Sequence, residues 1–359
     1  MRKSIPIPVK NKGVAESLLY SLQIKFHDAR FSLAADMSEL SVDCSDEEVM
    51  ADIGRSIGEF LGGISEMVGK VSTKDIRSFE GKRRLRGVLP ASSLVPSALS
   101  GVYVATAEMS ETITALDAVF LRYAARYRAL PVDLPSLIGA GELETAGYLP
   151  KDAHQVGRIS TFDSADHAAC LSPAGCLPLY PMLARAKSPL PPSAFTAMCR
   201  VFRYEGGRFD QEDPCARLWE FRVREIIFLD GEVNCRTRRA EFIDFMSLIL
   251  KHLDISFEIC TAADMFISPE YAKQTFFQLL KGTKIECRIV SEGGSISVAS
   301  FNDHAGHFVS KFNIPTKSDG LGTFCVGFGM ERLAGIVIRA YPDRAEREIA
   351  IGGLFSLVA

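Results

Sequence analysis

The amino-acid sequence predicts an α+β chain that folds as two domains. The first observation is length, because 359 residues exceed the usual size of one domain and suffice for a large buried core. The second is that strand-like segments alternate with helical ones from Arg158 onward, with helices predicted over Arg238–Leu253 and Ser268–Lys281. The third is a pair of strand-like segments between Phe202 and Leu229, separated by a polar, glycine-containing loop. That pattern is typical of an antiparallel hairpin.

Composition and charge exclude several kinds of protein. The chain is 47% hydrophobic and 24% charged, which excludes a mainly disordered, collagen-like or coiled-coil chain. Its net charge of −3 argues against a broad basic surface for nucleic acid. No apolar run reaches the roughly 18–20 residues of a membrane span. The N-terminal segment also lacks the apolar core and cleavage site of a secretory signal. We therefore expect a cytoplasmic protein with no membrane association.

Residues 1–95 are predicted to form a small α/β domain and a linker, and residues 96–359 the main domain. The predicted strands are Ser4–Val9, Gln23–Phe26, Arg30–Ala34 and Leu40–Val42. A helix is predicted from Asp46 to about Val68, with Ser45 as its N-cap. The basic and then Pro/Ser-rich stretch up to Ser97 indicates a linker. Four basic side chains in it are interpreted as solvated linker charge, in preference to a contact with an acidic partner: Lys82, Arg83, Arg84 and Arg86.

The nine cysteines are scattered, and none forms a CxxC or CxxxC pair. In a reducing compartment such thiols are either small buried hydrophobic groups or metal ligands gathered from distant parts of the chain. For any one cysteine taken alone, packing is the favoured interpretation.

The second strand of the predicted hairpin has an alternating pattern that suits a nucleotide. Side chains two apart share one face of a strand, which would align the set Arg217, Trp219, Phe221, Val223 and Glu225. An aromatic ring can stack on a base, and a guanidinium can bind phosphate. The segment from Gly327 to Ala334 adds a glycine-containing turn that runs into a helix, whose Arg332 could reach another phosphate.

Together these segments resemble motifs 2 and 3 of the class II aminoacyl-tRNA synthetases. Motif 2 corresponds to Phe202-Arg-Tyr-Glu205 with the following Arg217 to Phe221, and motif 3 to Gly327-Phe-Gly-Met-Glu-Arg332. The helix predicted over Ser110–Arg128, with the proline-containing stretch after it, has the character of motif 1. The resemblance implies a mainly antiparallel sheet flanked by helices, in a dimer formed through motif 1.

The same resemblance implies a role for each matching residue. Arg203 would bind the α-phosphate of ATP, and Glu205 would contact the adenine side. Arg217 and Arg332 would hold the terminal phosphates. Phe221 would stack beneath the adenine.

Three further segments are similar to the zinc-ligand segments of methanogen-type seryl-tRNA synthetases and their truncated relatives, the amino acid:[carrier protein] ligases. They contain Cys176, Glu225 and Cys325, and Glu225 stands four residues after Phe221, as in that group. The stretch from Ser300 to Phe308 also resembles the SFNxHxxHF segment of the carrier-protein ligases. The likeness covers about residues 100–345, so the role of residues 1–95 stays open.

The metal prediction also has a basis in the residues themselves. Two thiolates and a carboxylate would give zinc three ligands at low net charge and leave the fourth position free, as in a catalytic site. The amino group of a substrate could then occupy that position. Six further cysteines show no such pattern and are assigned to packing or surface: Cys170, Cys199, Cys215, Cys235, Cys260 and Cys287. His304 and His307 could be extra ligands or catalytic bases, but structural hydrogen bonding is the favoured interpretation.

The expected reaction, implied by the resemblance, is ATP-dependent activation of a small amino acid as an aminoacyl-adenylate, with Mg²⁺. The phosphopantetheine thiol of an acyl or peptidyl carrier protein would then accept the aminoacyl group. Two alternatives stay open: a zinc-dependent, seryl-type aminoacyl-tRNA synthetase, and a non-catalytic synthetase paralogue. The net charge disfavours tRNA, and the retained arginines at 203, 217 and 332 favour an enzyme.

Overall fold

The computed structural model of the chain describes residues 2–7, 12–34, 36, 38–63, 74–83, 85, 89, 93–148, 155–160, 169–206, 209, 214–262, 281–291 and 294–358. Within these ranges the helices are α1 (Lys12–Lys25), α2 (Glu47–Gly63), α3 (Ala107–Ala125), α4 (Ala140–Thr145), α5 (Leu179–Ala184), α6 (Glu232–His252), α7 (His307–Lys311), α8 (Met330–Ala340) and α9 (Arg344–Leu354). None of these described helices combines the length and the apolar character needed to cross a bilayer.

The strands form one large sheet and three small ones. They are β1 (Arg2–Pro6), β2 (Arg30–Leu33), β3 (Glu39–Asp43), β4 (Asp75–Phe79), β5 (Leu94–Pro96), β6 (Tyr103–Ala105), β7 (Leu130–Pro131), β8 (Leu137–Gly139), β9 (Ala169–Leu171), β10 (Ser193–Phe202), β11 (Glu220–Gly231), β12 (Phe257–Ala262), β13 (Lys284–Ser291), β14 (Gly294–Ala305) and β15 (Leu321–Gly329). The large sheet has the order β4-β12-β13-β14-β15-β11-β10-β7, and the small ones are β1-β3-β2, β5-β6 and β8-β9.

The centre of the large sheet is antiparallel. β10 pairs with β11, β11 with β15, and β14 with β15, all antiparallel, whereas β7 joins β10 in parallel. The predicted hairpin between Phe202 and Leu229 is therefore confirmed, as β10 and β11 with a long connecting loop. β15 is buried from Leu321 to Phe328, which explains why its sequence is a continuous apolar run without alternation.

Helices cover the large sheet and fix its central strands. The ring of Phe120 on α3 stacks on Phe328 of β15 with centroids 4.2 Å apart. Asp117 of α3 accepts two hydrogen bonds from Arg224 of β11, at 2.6 and 2.7 Å, in a buried bidentate ion pair. Such a pair fixes the helix relative to the strand because both donors and both acceptors are aligned. The predicted α+β class, with a mainly antiparallel sheet flanked by helices, is confirmed.

The chain divides into two compact units. The first comprises Met1–Asp75, Glu205–Glu212 and Cys260–Ile285, and the second comprises Ile76–Tyr204, Asp213–Ile259 and Glu286–Ala359. The core of the first unit contains apolar side chains from α1, α2 and the β1-β3-β2 sheet, including Leu18, Leu22, Leu40, Val42 and Ile53. The domain division at residue 95 stays a prediction.

Several local predictions for the first residues were wrong. The strand predicted at Gln23–Phe26 is the end of α1, because Val14, Leu18 and Leu22 recur every four residues and bury one helical face. Asp46 rather than Ser45 caps α2, since its Oδ1 accepts from the backbone N–H groups of the next helical residues at 2.8 and 3.2 Å.

The predicted linker contains regular structure. Asp75–Phe79 is an edge strand of the large sheet, and Leu94–Pro96 pairs with Tyr103–Ala105. Arg83 of the basic cluster lies over the ring of Tyr341 at 4.3 Å and forms an ion pair with Glu346 at 3.7 Å. Arg84 and Arg86, and all of the predicted helix Ser268–Lys281 except its last residue, lie outside the described residues.

Candidate active site

Two adjacent strands and one turn bring three predicted metal ligands together. Glu225 of β11 faces Gly327 of β15, two residues from Cys325, so both side chains lie on one face of the sheet. Cys176 lies in the turn before α5. Its backbone carbonyl accepts a hydrogen bond from the N–H of Leu179, the first residue of α5, at 3.1 Å. The ligand atoms of Cys176, Glu225 and Cys325 all lie within 4.8 Å of one another, and all three side chains are buried. We call these three residues the metal cluster.

The metal cluster has the properties of a cation site. Oε2 of Glu225 is buried and has no hydrogen-bond partner, an arrangement that is costly unless a cation or a proton satisfies it. Two glycines make room for this carboxylate. A Cβ at Gly175 would stand 2.7 Å from Cγ of Glu225, and one at Gly327 would stand 3.3 Å from its Oε1. Two thiols and a carboxylate form a donor set that suits zinc.

Burial controls the ionisation of the metal cluster. It raises the pKa of the Glu225 carboxyl to about 7, although a hydrogen bond from Cys325 and the charge of Arg203 act in the opposite direction. The pKa of the Cys325 thiol is raised well above its usual value, first by its hydrogen bond with Cys176 and then by burial. Without a cation, burial therefore favours the protonated forms of Glu225 and Cys325, and a bound cation would favour their charged forms.

Polar side chains surround Cys325, and of these the sequence analysis singled out only His304. Asn302 faces Cys325 across the β14–β15 pair, and its Nδ2 donates to Sγ of Cys325 at 3.6 Å. His304 has its Nε2 3.9 Å from the same sulfur and its Nδ1 3.2 Å from Oγ1 of Thr323. Tyr180 lies 3.5 Å from Nδ1 of His304 through its hydroxyl. The sequence offered one signal for Asn302: it stands two residues before His304 in a predicted strand, and side chains two apart share one face.

The two histidines have different surroundings. His304 lies beside the metal cluster without being among its three ligand residues. His307 begins α7, where its Nε2 is 3.4 Å from the carbonyl oxygen of Ala146. The favoured interpretation of both side chains, structural hydrogen bonding, stays a prediction. The six cysteines assigned to packing or surface are all buried: Cys170, Cys199, Cys215, Cys235, Cys260 and Cys287.

Two of the predicted nucleotide residues, Arg203 and Phe221, lie on the paired strands β10 and β11 or next to them. Phe221 is on β11, and Val201 of β10 pairs with it. Arg203 follows β10, donates from Nε to the carbonyl of Pro173 at 2.8 Å, and places its guanidinium 5.6 Å from the centre of the Phe221 ring. Arg203 and Phe221 are therefore close enough to contact one nucleotide.

Arg217 and Arg332 meet at one backbone carbonyl. The Nη1 of Arg217 and the Nη2 of Arg332 both donate to the carbonyl of Ala216, at 2.8 and 2.7 Å, and Arg332 also donates to Ser297 at 2.8 Å. We call Arg203, Arg217 and Arg332 the nucleotide arginines. Arg332 also lines a cavity, together with Cys215, Leu218, Phe221, Gly329 and Glu331.

Glu331 fixes the wall of this cavity. Its carboxylate accepts from the backbone N–H and from Nε of Arg222, both at 2.8 Å, and it is buried. This pair joins the start of α8 to the residue that follows Phe221 on β11. Charge-assisted bonds of this kind are the stronger ones in proteins, so the ring of Phe221 is held on a rigid support.

Two details of the predicted arrangement were wrong, and a third, the role of Glu205, stays a prediction. β11 begins at Glu220, so Arg217 and Trp219 precede the strand, and Trp219 instead packs edge-on against Tyr204 at 5.0 Å. Gly327 and Gly329 belong to β15, and α8 follows this strand without a separate turn. Glu205 belongs to the first compact unit, and its contact with adenine stays a prediction.

Sequence comparison finds two kinds of named protein to which this chain is similar. No protein-family model matches it. It is 27% identical over 285 residues to amino acid–[acyl-carrier-protein] ligase 2 of Bradyrhizobium diazoefficiens, across 72% of this chain and 83% of that protein. Ligase 1 of the same organism is 27% identical over 262 residues, across 65% and 78% of the two chains. The type-2 serine–tRNA ligase of Methanopyrus kandleri is 27% identical over 186 residues, across 46% and 34%.

Structure comparison decides the fold. The M. kandleri seryl-tRNA synthetase, solved in complex with A. aeolicus tRNASec, superposes with a TM-score of 0.65 at 19% identity, over 99% of this chain and 77% of that one. This chain has the class II seryl-tRNA synthetase fold. The cytoplasmic serine–tRNA ligase of Naegleria fowleri, solved with AMP, gives a TM-score of 0.61 at 11% identity, over 86% and 79%. The predicted resemblance is thereby confirmed.

Proposed function

We propose that this protein activates a small amino acid with ATP and transfers it to the phosphopantetheine thiol of a carrier protein. The observation that supports this most is the position of the metal cluster relative to the nucleotide residues. Glu225 and Phe221 stand four residues apart on the same strand, which separates their Cα atoms by about 13 Å. This span suits an amino acid in line with the triphosphate of ATP.

In this proposal Cys176, Glu225 and Cys325 hold a zinc ion. When bound, zinc would act as a Lewis acid that accepts the substrate amino group in its open fourth position. The unpartnered Oε2 of Glu225 supports this assignment. The family resemblance favours a substrate with a small side chain, such as glycine, alanine or serine.

The nucleotide arginines, with Mg²⁺, neutralise the triphosphate. Phe221 stacks on adenine, Arg203 binds the α-phosphate, and Arg217 with Arg332 binds the terminal phosphates. A carboxylate oxygen of the amino acid attacks the α-phosphorus, the bond to pyrophosphate breaks, and an aminoacyl-adenylate forms. The arginine charges favour the transition state because they are in place before charge develops on phosphorus.

The second step transfers the aminoacyl group to sulfur. The phosphopantetheine thiol loses its proton and attacks the carbonyl carbon of the adenylate, and AMP leaves with the bonding electron pair. Both named carrier-protein ligases cover this chain more extensively than the named serine–tRNA ligase does, which supports a carrier as the acceptor. The net charge of −3 also suits a small partner better than a long phosphate backbone.

A seryl-type synthetase is the second candidate. It is favoured by one observation, that the M. kandleri synthetase aligns in structure with 99% of this chain, including the first compact unit. A non-catalytic paralogue is disfavoured because arginines stand at all three nucleotide positions.

The proposal includes a homodimer in the cytoplasm. Three large apolar side chains near the end of α3 and in the strands that follow it are exposed, as expected for a surface that a second copy covers: Leu121, Leu130 and Leu137. All nine cysteines are free thiols, which is the state that a reducing compartment maintains.

The experiment for the activation step is ATP–pyrophosphate exchange with each of the twenty amino acids. We expect exchange with one or more of glycine, alanine and serine. Exchange with phenylalanine or tryptophan alone would overturn the substrate class. The absence of exchange with every amino acid would overturn the proposed reaction.

A further inference from the structure

A β-bulge interrupts strand β14 beside the metal cluster. The pairing with β15 passes from Asp303, opposite Phe324, directly to Ala305, opposite Thr323. His304 and Ala305 therefore share one partner residue, which is the defining feature of a bulge. Bulges change the direction of a side chain relative to a regular ladder, and they are frequent next to active sites. The bulge thus sets the direction of the His304 imidazole.

The backbone of this bulge is strained, and one glycine accommodates it. Ala305 has φ +46°, in the left-handed region that residues other than glycine rarely adopt. Across the ladder, a Cβ at Gly322 would stand 2.5 Å from the carbonyl oxygen of Ala305, so a larger residue there would displace the bulge. Such strain persists only where the surrounding structure enforces it, and it is concentrated at functional positions.

The imidazole of His304 contacts Cys325 on one side and two hydroxyls on the other. Its Nε2 is 3.9 Å from Sγ of Cys325. Its Nδ1 is 3.2 Å from Oγ1 of Thr323 and 3.5 Å from the hydroxyl of Tyr180, and both of these residues are fully buried. The ring of Phe308 packs edge-on against the imidazole at 4.7 Å and stacks on Tyr180 at 4.2 Å, which restricts both rings.

These contacts assign the proton of the imidazole to Nε2. A hydroxyl can donate to Nδ1 of His304, whereas a thiolate that binds a metal has no proton to give and can only accept. Nε2 is therefore the donor to Cys325, and Nδ1 is an acceptor. Nδ2 of Asn302 donates to the same sulfur at 3.6 Å, so this thiolate would receive two hydrogen bonds. Such donors stabilise the negative charge of a sulfur ligand and orient it.

We propose that His304 is a positioning residue, whose imidazole the β14 bulge directs at the sulfur of Cys325 so that it holds this thiolate for zinc. This inference rests on the proposed function, because it assigns zinc to the metal cluster. The role requires no contact of His304 with the substrate or with the metal ion. It also explains why a strained bulge and a glycine opposite it lie beside the cluster.

The test measures the metal site of the full chain. Co²⁺ replaces zinc as a probe, because its sulfur-to-cobalt charge-transfer band responds to the hydrogen bonds that the sulfur accepts. Competition with a chelator measures the zinc dissociation constant. His304→Leu removes the donor, His304→Gln keeps an N–H donor, and Gly322→Ala displaces the bulge without changing His304. Gly306→Ala is the matched control, because it lies in the same segment and its Cβ position is open.

We expect His304→Leu to move the charge-transfer band to longer wavelength, because a sulfur without this hydrogen bond gives up an electron more readily. The zinc dissociation constant should rise about tenfold, the lower end of the usual range for a lost partner of a metal ligand. Gly322→Ala should change both quantities in the same direction. His304→Gln should restore most of the band position, and Gly306→Ala should resemble the wild type.

Two outcomes would contradict the positioning role. One is a wild-type band and wild-type zinc affinity in His304→Leu. The other is an equal loss in His304→Gln and His304→Leu, which would show that the ring matters and its hydrogen bond does not. If the wild type itself binds neither Zn²⁺ nor Co²⁺, the metal cluster of the proposed function fails instead.

Discussion

The metal cluster and the nucleotide arginines are built in different ways. The three ligands of the metal cluster are buried, and two of them come from adjacent central strands whose register is fixed by backbone pairing. Of the nucleotide arginines, Arg203 follows β10, Arg217 precedes β11, and Arg332 is in the first turn of α8. Each of them donates to a backbone carbonyl. In the proposed function, one half of the site is fixed by the fold, whereas the arginines of the other half would exchange these carbonyls for phosphate oxygens when ATP binds.

This difference has an energetic meaning. A pre-arranged cation site needs little reorganisation, so its loss should act as an all-or-none effect on binding. An arginine that leaves a carbonyl for a phosphate exchanges one hydrogen bond for a stronger charge-assisted one, and its removal should act mainly on the transition state.

The largest effect should come from removing a thiol of the metal cluster. Cys325→Ser or Cys176→Ser is expected to abolish both zinc binding and adenylate formation, because a hydroxyl is a poor replacement for a thiolate ligand. Metal analysis, with about one zinc per wild-type chain expected, and pyrophosphate exchange measure the two losses. Cys235→Ser is the matched control, since this buried thiol of α6 donates only to Asp230. Full activity in a metal-free Cys176 and Cys325 double variant would contradict the assignment.

Arg203→Ala should have the next largest effect and should separate the two halves. We expect the exchange rate to fall on the order of 10²–10³-fold, the loss typical of one donor that faces developing charge. Zinc content and melting temperature should stay unchanged. Arg185→Ala, at an exposed ion pair with Glu142, is the control. A reduction below about threefold would place Arg203 outside the reaction, given the usual size of such contributions.

The metal-free protein should lose stability as pH rises. Glu225 has its pKa raised from 4.5 to about 7 by burial, so between these values the folded state binds a proton that the unfolded state releases. The free energy of unfolding should therefore decrease from about pH 4.5 to above pH 7, by about 3 kcal/mol in total. Chemical unfolding in the presence of a chelator measures it. Glu225→Gln should lack this dependence, and an equal slope in both proteins would show that another group causes it.

Gly175→Ala should have the smallest effect of the four, and it should act on the metal cluster rather than on the nucleotide arginines. The added Cβ would meet Cγ of Glu225 at 2.7 Å and Cβ of Cys199 at 2.9 Å, so the Glu225 side chain or its surroundings must shift. We expect zinc affinity to fall about tenfold, or about 1.4 kcal/mol, with no change in ATP affinity. Gly141→Ala is the control, since its Cβ position is open. Unchanged zinc affinity would mean that Glu225 is not a ligand.

The sequence predicted most of the site that lies on regular strands. The alternation after Glu220 placed Phe221 and Glu225 on one face, and backbone pairing in the structure added Cys325 from β15. Cys176 could be joined to them only through family resemblance, because no local periodicity connects a turn to a strand far along the chain. Asn302 beside Cys325 was not singled out, since cross-strand neighbours depend on register.

The errors have a common physical origin, because tertiary contacts decided the outcome. α1 was interpreted in part as a strand because its second face is polar yet buried, which obscures the amphipathic pattern. Arg217 and Trp219 were predicted on β11, but this strand begins only at Glu220. Trp219 packs against Tyr204, and Glu331 accepts a hydrogen bond from the backbone of Arg222 near the start of the strand. Neither contact has a signal within its own segment.

Acceptor choice is the most direct test of the central claim. Radiolabelled glycine, alanine or serine should be incubated with ATP, Mg²⁺ and the protein, in parallel with phosphopantetheinylated carrier protein, the same carrier without the arm, and bulk tRNA. We expect label on the phosphopantetheinylated carrier, released by hydroxylamine as a thioester should be, and none on the other two acceptors. Efficient labelling of tRNA with no labelling of any carrier tested would contradict the account and favour the seryl-type synthetase.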